Sequence, residues 1–121
     1  MKKILLLMVP LFLLLSSCSK DDAVMPPINE GEWLNKERGI VVASDLRCDF
    51  YVVETRYGYA VLRTWGGFPP VYGAVLYGDF SSWGVKTFYN RSEGYLMNAD
   101  VRDYRSSYFS ALDQMNWNCS Y

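Results

Sequence analysis

The chain of 121 residues contains no histidine. That absence removes the Ser-His-Asp and Cys-His arrangements of nucleophilic catalysis and the commonest imidazole metal sites. Cysteine is scarce as well, with three in the whole chain and no pair at metal-ligand spacing. No Gly-x-Gly-x-x-Gly or phosphate-cradling loop appears, so no nucleotide cofactor is implied. The longest apolar run, Ile4 to Leu15, has twelve residues and contains Pro10. A mature membrane-crossing helix needs about 20.

What the run does match is a secretory signal, because Met1-Lys2-Lys3 supplies a basic start before it. It ends in Leu15-Ser16-Ser17-Cys18. An apolar residue, two small ones and a cysteine resemble the bacterial lipobox, in which small side chains admit the peptidase and the thiol accepts a diacylglycerol. The following Ser19-Lys20-Asp21-Asp22 resembles the export signal of surface lipoproteins of the Bacteroidota. The resemblance implies a cleaved leader over 1–17, a palmitate-type lipid anchor on Cys18 and an outer-membrane, cell-surface location. Acyl chains contribute about 0.8 kcal/mol per buried CH₂, so several on one residue hold a protein to a bilayer without a helix.

From Cys18 to Tyr121 there are 104 residues, enough for a tether and a single small domain. Without Lys2 and Lys3 this part carries ten basic and thirteen acidic residues, a net charge of −3. No basic stripe is present, which argues against nucleic acid as a partner. With Cys18 committed to lipid, Cys48 and Cys119 remain, and in an exported protein they are expected to pair. Nineteen aromatic residues lie beyond the leader. Such side chains supply large buried area to a small core and suit strands.

Residues 18–31, with Met25-Pro26-Pro27, read as a flexible tether, and 32–121 as one domain. Within it, Ile40 to Ala43, Cys48 to Glu54, Tyr59 to Trp65, Val71 to Tyr77, Val85 to Asn90 and Tyr95 to Val101 read as strands. Tyr57-Gly58 and Arg91 to Gly94 read as hairpin turns, and Gly66-Gly67-Phe68-Pro69-Pro70 as a loop. Gly73 reads as a bulge or a point of close backbone approach inside its strand. Ser107 is an N-cap candidate for a closing helix, with Phe109, Leu112 and Met115 expected on its buried face. The fold class is therefore mainly all-β: a small antiparallel meander forming a barrel-like or sandwich domain with one short C-terminal helix. Cys119 would tie that helix to the strand of Cys48.

The chain as a whole, including Gly78-Asp79-Phe80-Ser81-Ser82-Trp83-Gly84, resembles small aromatic-rich Bacteroidota lipoproteins. That likeness implies no particular activity.

Carboxylates are the remaining catalytic candidates: Asp45, Asp49, Glu54, Asp79, Glu93, Asp100 and Asp103. Glycoside hydrolysis needs two of them about 5–9.5 Å apart, and nothing in the spacing pairs them. Asp100-x-x-Asp103 lacks the dense oxygen ligands of a calcium loop, so no metal is implied. The reading is non-enzymatic. Trp65 and Phe68 flank the Gly-Gly loop, Tyr72 follows it, and Trp83 lies in the next turn-rich link. Exposed there, these rings would stack on a glycan or anchor an envelope protein; buried, they would close the ends of the barrel. An accessory subunit of an outer-membrane assembly, an envelope inhibitor and a small hydrolase are the alternative functions.

Overall fold

The computed structural model describes residues 27–119. The expected leader, Cys18 and most of the expected tether lie outside the described residues. A short helix, α1 (Glu30–Leu34), leads into six strands: β1 (Glu37–Ser44), β2 (Phe50–Thr55), β3 (Gly58–Thr64), β4 (Val75–Gly78), β5 (Gly84–Asn90) and β6 (Tyr95–Ser106). Helix α2 (Tyr108–Asn118) follows. The strands close into an antiparallel barrel in the order β1-β2-β3-β6-β5-β4. A closed barrel leaves no sheet edge unpaired.

The connectivity is a Greek key. Strands β1 to β3 form a meander, and the 65–74 segment then crosses one end of the barrel so that β4 returns beside β1. Strand alternation sets the inside. Val41, Tyr51, Val53, Ala60, Leu62, Leu76, Phe88, Ala99 and Val101 point into one core, with Phe80 from the β4–β5 loop. Phe80 stacks on Phe88 at 4.8 Å between ring centroids. There is room for both rings because two positions carry no side chain. A Cβ on Gly39 would strike Val53 and Phe80, and one on Gly78 would strike Phe88.

A second apolar layer lies outside the barrel, where α2 covers β2 and β3. Ala111 and Met115 pack on Val52 and Val61, with Phe50, Tyr59 and Cys119 around them. Ser107 caps this helix, its hydroxyl accepting from the Ser110 N–H at 3.2 Å. Gln114 and the Ser106 hydroxyl both donate to the Asp103 carboxylate, pinning α2 to the end of β6. Burial alone would raise the pKa of Asp103, but these bonds and the Tyr104 N–H outweigh it and hold the carboxyl below its ordinary value. Cys48 and Cys119 are bonded as expected, with their Cα atoms 5.5 Å apart.

Three local expectations are corrected. The fourth strand starts at Val75, not Val71, because Gly73 has φ +86° and breaks the extended backbone. Gly78, expected to open a turn, is the last residue of that strand. The buried face of α2 is Ala111 and Met115, whereas Phe109 is 77 % exposed. Ala111, Met115 and Cys119 recur at four-residue spacing, so the disulfide selects the face that meets the sheet. In addition, Glu30 and Gly31, read as the end of the tether, belong to α1, and the Glu30 carboxylate accepts from Tyr89 Oη at 3.0 Å.

Candidate functional site

The expected binding rings fall into two groups at opposite ends of the barrel. Strand β3 delivers Trp65 at the crossover end, where its backbone N–H donates to the Asn98 carbonyl at 3.3 Å. Gly66 and Gly67 both have positive φ, at +86° and +72°, which carries the chain over the rim. Pro69 and Pro70 then lie buried. The Pro70 carbonyl accepts from the Ser44 hydroxyl at 2.6 Å. On the return the Gly73 N–H donates to the Val41 carbonyl at 2.8 Å, and the Val41 N–H donates to the Ala74 carbonyl at 3.0 Å.

The crossover is thus fixed through its backbone and its prolines, and its large side chains are left facing out. Trp65 is 53 % exposed, Phe68 82 % and Tyr72 76 %. Val71, between the last two, is exposed as well. From Trp65 to Ala74 there is no charged residue. Among the described residues, none of these three rings stacks on another ring.

Trp83 is also exposed but stands elsewhere. Its ring packs edge-on against Tyr104, 5.4 Å between centroids, at the end where β6 leaves the barrel. Trp65 meets β6 at Asn98 and Trp83 meets it at Tyr104. Six residues of strand separate those points, about 20 Å. Trp65, Phe68 and Tyr72 are thus exposed on the one crossover segment, and Trp83 stands at the other end of the barrel.

Near Trp83 lies a groove that sequence reading did not find. It has a volume of about 350 Å³ and is lined by Trp33, Lys36, Glu37, Gly78, Asp79, Lys86 and Thr87. Helix α1 supplies Trp33, capped by Asn29 through its side-chain oxygen. The Lys36 ammonium lies 5.4 Å from the Trp33 ring centre. Lys86 binds the Asp79 carboxylate at 3.2 Å, the Ser82 carbonyl at 2.6 Å and the Ser82 hydroxyl. Glu37 accepts from the Ser81 hydroxyl at 2.9 Å. The Ser82 hydroxyl, the Ser81 N–H and Lys86 hold the Asp79 carboxyl below its ordinary value against the opposing effect of burial. The polar groups here are largely spent on one another. No periodic signal marks this groove, since α1 has only five residues and its partners come from distant strands.

Most of the carboxylate candidates are engaged by neighbouring side chains. Asp45 binds Arg47, Asp79 binds Lys86 and Asp100 binds Arg102, at 3.2, 3.2 and 3.1 Å. Glu54 accepts from Tyr59 Oη at 3.1 Å. Among the described residues no group of three or more Cys, Asp or Glu is placed to hold a metal ion, and no helix is long and apolar enough to cross a membrane.

The class these features define is a closed Greek-key barrel with a disulfide-tied helix and an uncharged, ring-bearing crossover. No protein-family model, curated protein or solved structure matches the chain.

Proposed function

We propose that this is a lipid-anchored protein of the outer membrane, exposed at the cell surface, whose crossover segment binds a neutral glycan through Trp65, Phe68 and Tyr72. The carrying observation is the exposure of three large rings on a backbone-anchored segment without a charge. Planar, uncharged surfaces suit the apolar faces of sugar rings, and a rigid support lowers the ordering cost of binding. A protein partner is the other occupant, since the cores of protein interfaces are likewise rich in aromatic residues and poor in charge; the gel experiment below separates the two. Trp83 has no part in this site. The non-enzymatic reading is supported by carboxylates that occupy separate ion pairs. The anchor is supported by Leu15-Ser16-Ser17-Cys18 and the basic-apolar leader before it.

Two experiments test the reading. Mass spectrometry of the native product is expected to find a new amino end at Cys18 bearing acyl chains; an intact leader or an unmodified thiol would contradict the anchor. Affinity electrophoresis of the mature protein through gels containing dextran, mannan, xylan or laminarin is expected to show retardation by at least one of them. Unchanged mobility in all, together with capture of an envelope protein by the same segment, would replace the glycan by a protein.

A further inference from the structure

Three buried side-chain atoms lack a hydrogen-bond partner among the described residues: Tyr51 Oη, Thr64 Oγ1 and Asn90 Nδ2. Their residues are 0 %, 7 % and 0 % exposed. Buried polar groups are nearly always paired, and an exception calls for an explanation such as an unseen guest.

The three belong to different strands yet stand at one level of the barrel. Tyr51 on β2 is opposite Leu62, Thr64 on β3 is opposite Ala99, and Asn90 on β5 is opposite Tyr95. Strand tilt in a closed barrel staggers neighbours by roughly one to two residues. Steps of two residues from each register partner lead from Tyr51 to Thr64 on β3, Met97 on β6 and Asn90 on β5; Asn90 is directly opposite Leu76 on β4, and a further two-residue step reaches Val41 on β1. These are inward positions, alternating with or belonging to the core. The layer is therefore half apolar and half polar, and it lies at the end of the lumen that Pro70 and Ala74 of the crossover close.

The chemistry of the layer defines its guest. Asn90 spends its side-chain oxygen on the Glu93 N–H at 3.0 Å, so only its amide nitrogen, a pure donor, faces the layer. Tyr51 is held neutral, since burial, reinforced by Tyr95, pushes its pKa up. Tyr51 and Thr64 can each donate and accept. No carboxylate is there to hold a cation and no ammonium or guanidinium to hold an anion.

We infer that this layer is a binding site for a neutral hydroxyl oxygen, which accepts from Asn90 and exchanges hydrogen bonds with Tyr51 and Thr64. Two sources supply that oxygen: a buried water, which typically makes about three such bonds, or a hydroxyl of a neutral sugar reaching beneath the crossover. The inference does not depend on what the outer rings bind.

The test is a crystal structure of the mature protein, alone and soaked with a neutral disaccharide such as maltose or cellobiose. The expected result is one density peak about 2.7–3.2 Å from at least two of the three atoms. A peak that stays isolated in the soaked crystal identifies water, and one continuous with sugar density identifies a ligand hydroxyl. In the Tyr51→Phe, Thr64→Val protein the peak is expected to be lost while the barrel is retained; Tyr51→Phe alone serves if the double variant does not fold. A layer without density, side chains rotated to pair with one another, or a peak that survives both substitutions unchanged would overturn the inference.

Discussion

At the crossover end the chain runs from Trp65 to Ala74 without a charged residue, whereas the opposite end gathers Lys36, Glu37, Asp79 and Lys86 into one groove. Both ends must close the same lumen, and they do it by different means. The crossover is tied down by backbone bonds to Val41 and by the Ser44 hydroxyl on Pro70, with the prolines as the plug. The other end is plugged by the Phe80 ring and laced by side chains, Ser81 to Glu37 and Lys86 to Asp79 and Ser82. A loop held by its backbone has its side chains to spare, and a loop held by its side chains does not. That is why exposed rings at the crossover read as a surface for a ligand, while the charged groove reads first as structure.

The largest effect on stability is expected at the disulfide. Replacing Cys119 by Ser opens a 71-residue loop, and chain entropy puts the loss at about 4 kcal/mol. A fall in Tm of at least roughly 10 °C is expected by calorimetry. If the surviving folded protein keeps its ligand, the crossover is organised by its own backbone bonds and not by the nearby bridge. At the opposite end, Gly78→Val would drive a side chain into Phe88, and overpacking of this kind costs about 1–3 kcal/mol. Chemical denaturation should show that loss with no change in ligand affinity for whatever fraction remains folded.

Acid should act at the end opposite the crossover, where β4 ends and β6 leaves the barrel. Asp103 and Asp79 both titrate below the ordinary carboxylate range when folded. Their contribution is therefore present above the unfolded carboxylate pKa and lost as pH falls through the lowered values. The midpoint of urea unfolding is expected to drop between pH 5 and pH 2, and Asp103→Asn is expected to be less stable at pH 7 with a flatter pH profile. A profile unchanged by that substitution would show that Asp103 does not pin α2. The smallest effect on stability belongs to the rings: Trp65→Ala, Phe68→Ala and Tyr72→Ala should each stay within about 0.5 kcal/mol of the parent protein, as exposed positions do.

Much of this architecture is legible in the amino-acid order. Val52-Val53 and Ala60 to Leu62 alternate between the barrel core and the layer under α2, and Arg91 to Gly94 is a turn as expected, whereas the other hairpin turn is Arg56-Tyr57 and Gly58 already opens β3. The Cys48–Cys119 bridge follows from counting cysteines. What local pattern does not encode is which loops share an end of the barrel. Tyr72 and Trp83 are eleven residues apart in sequence, yet the short β4 between them carries the chain from one end to the other. The positive φ of Gly73 and the choice of face on α2 are likewise set by long-range partners, Val41 in one case and Cys48 in the other. Helix α1 and its groove escaped notice because five residues are too few to show a period.

The most direct measurement is an equilibrium titration of the mature protein with the polysaccharide that retards it, repeated for the Trp65→Ala, Phe68→Ala, Tyr72→Ala triple variant and for Trp83→Ala. The triple variant is expected to bind at least about tenfold more weakly, a difference of roughly 1.4 kcal/mol, while Trp83→Ala binds like the parent. Equal binding by the triple variant, or a loss confined to Trp83→Ala, would contradict the assignment of the ligand surface to the crossover.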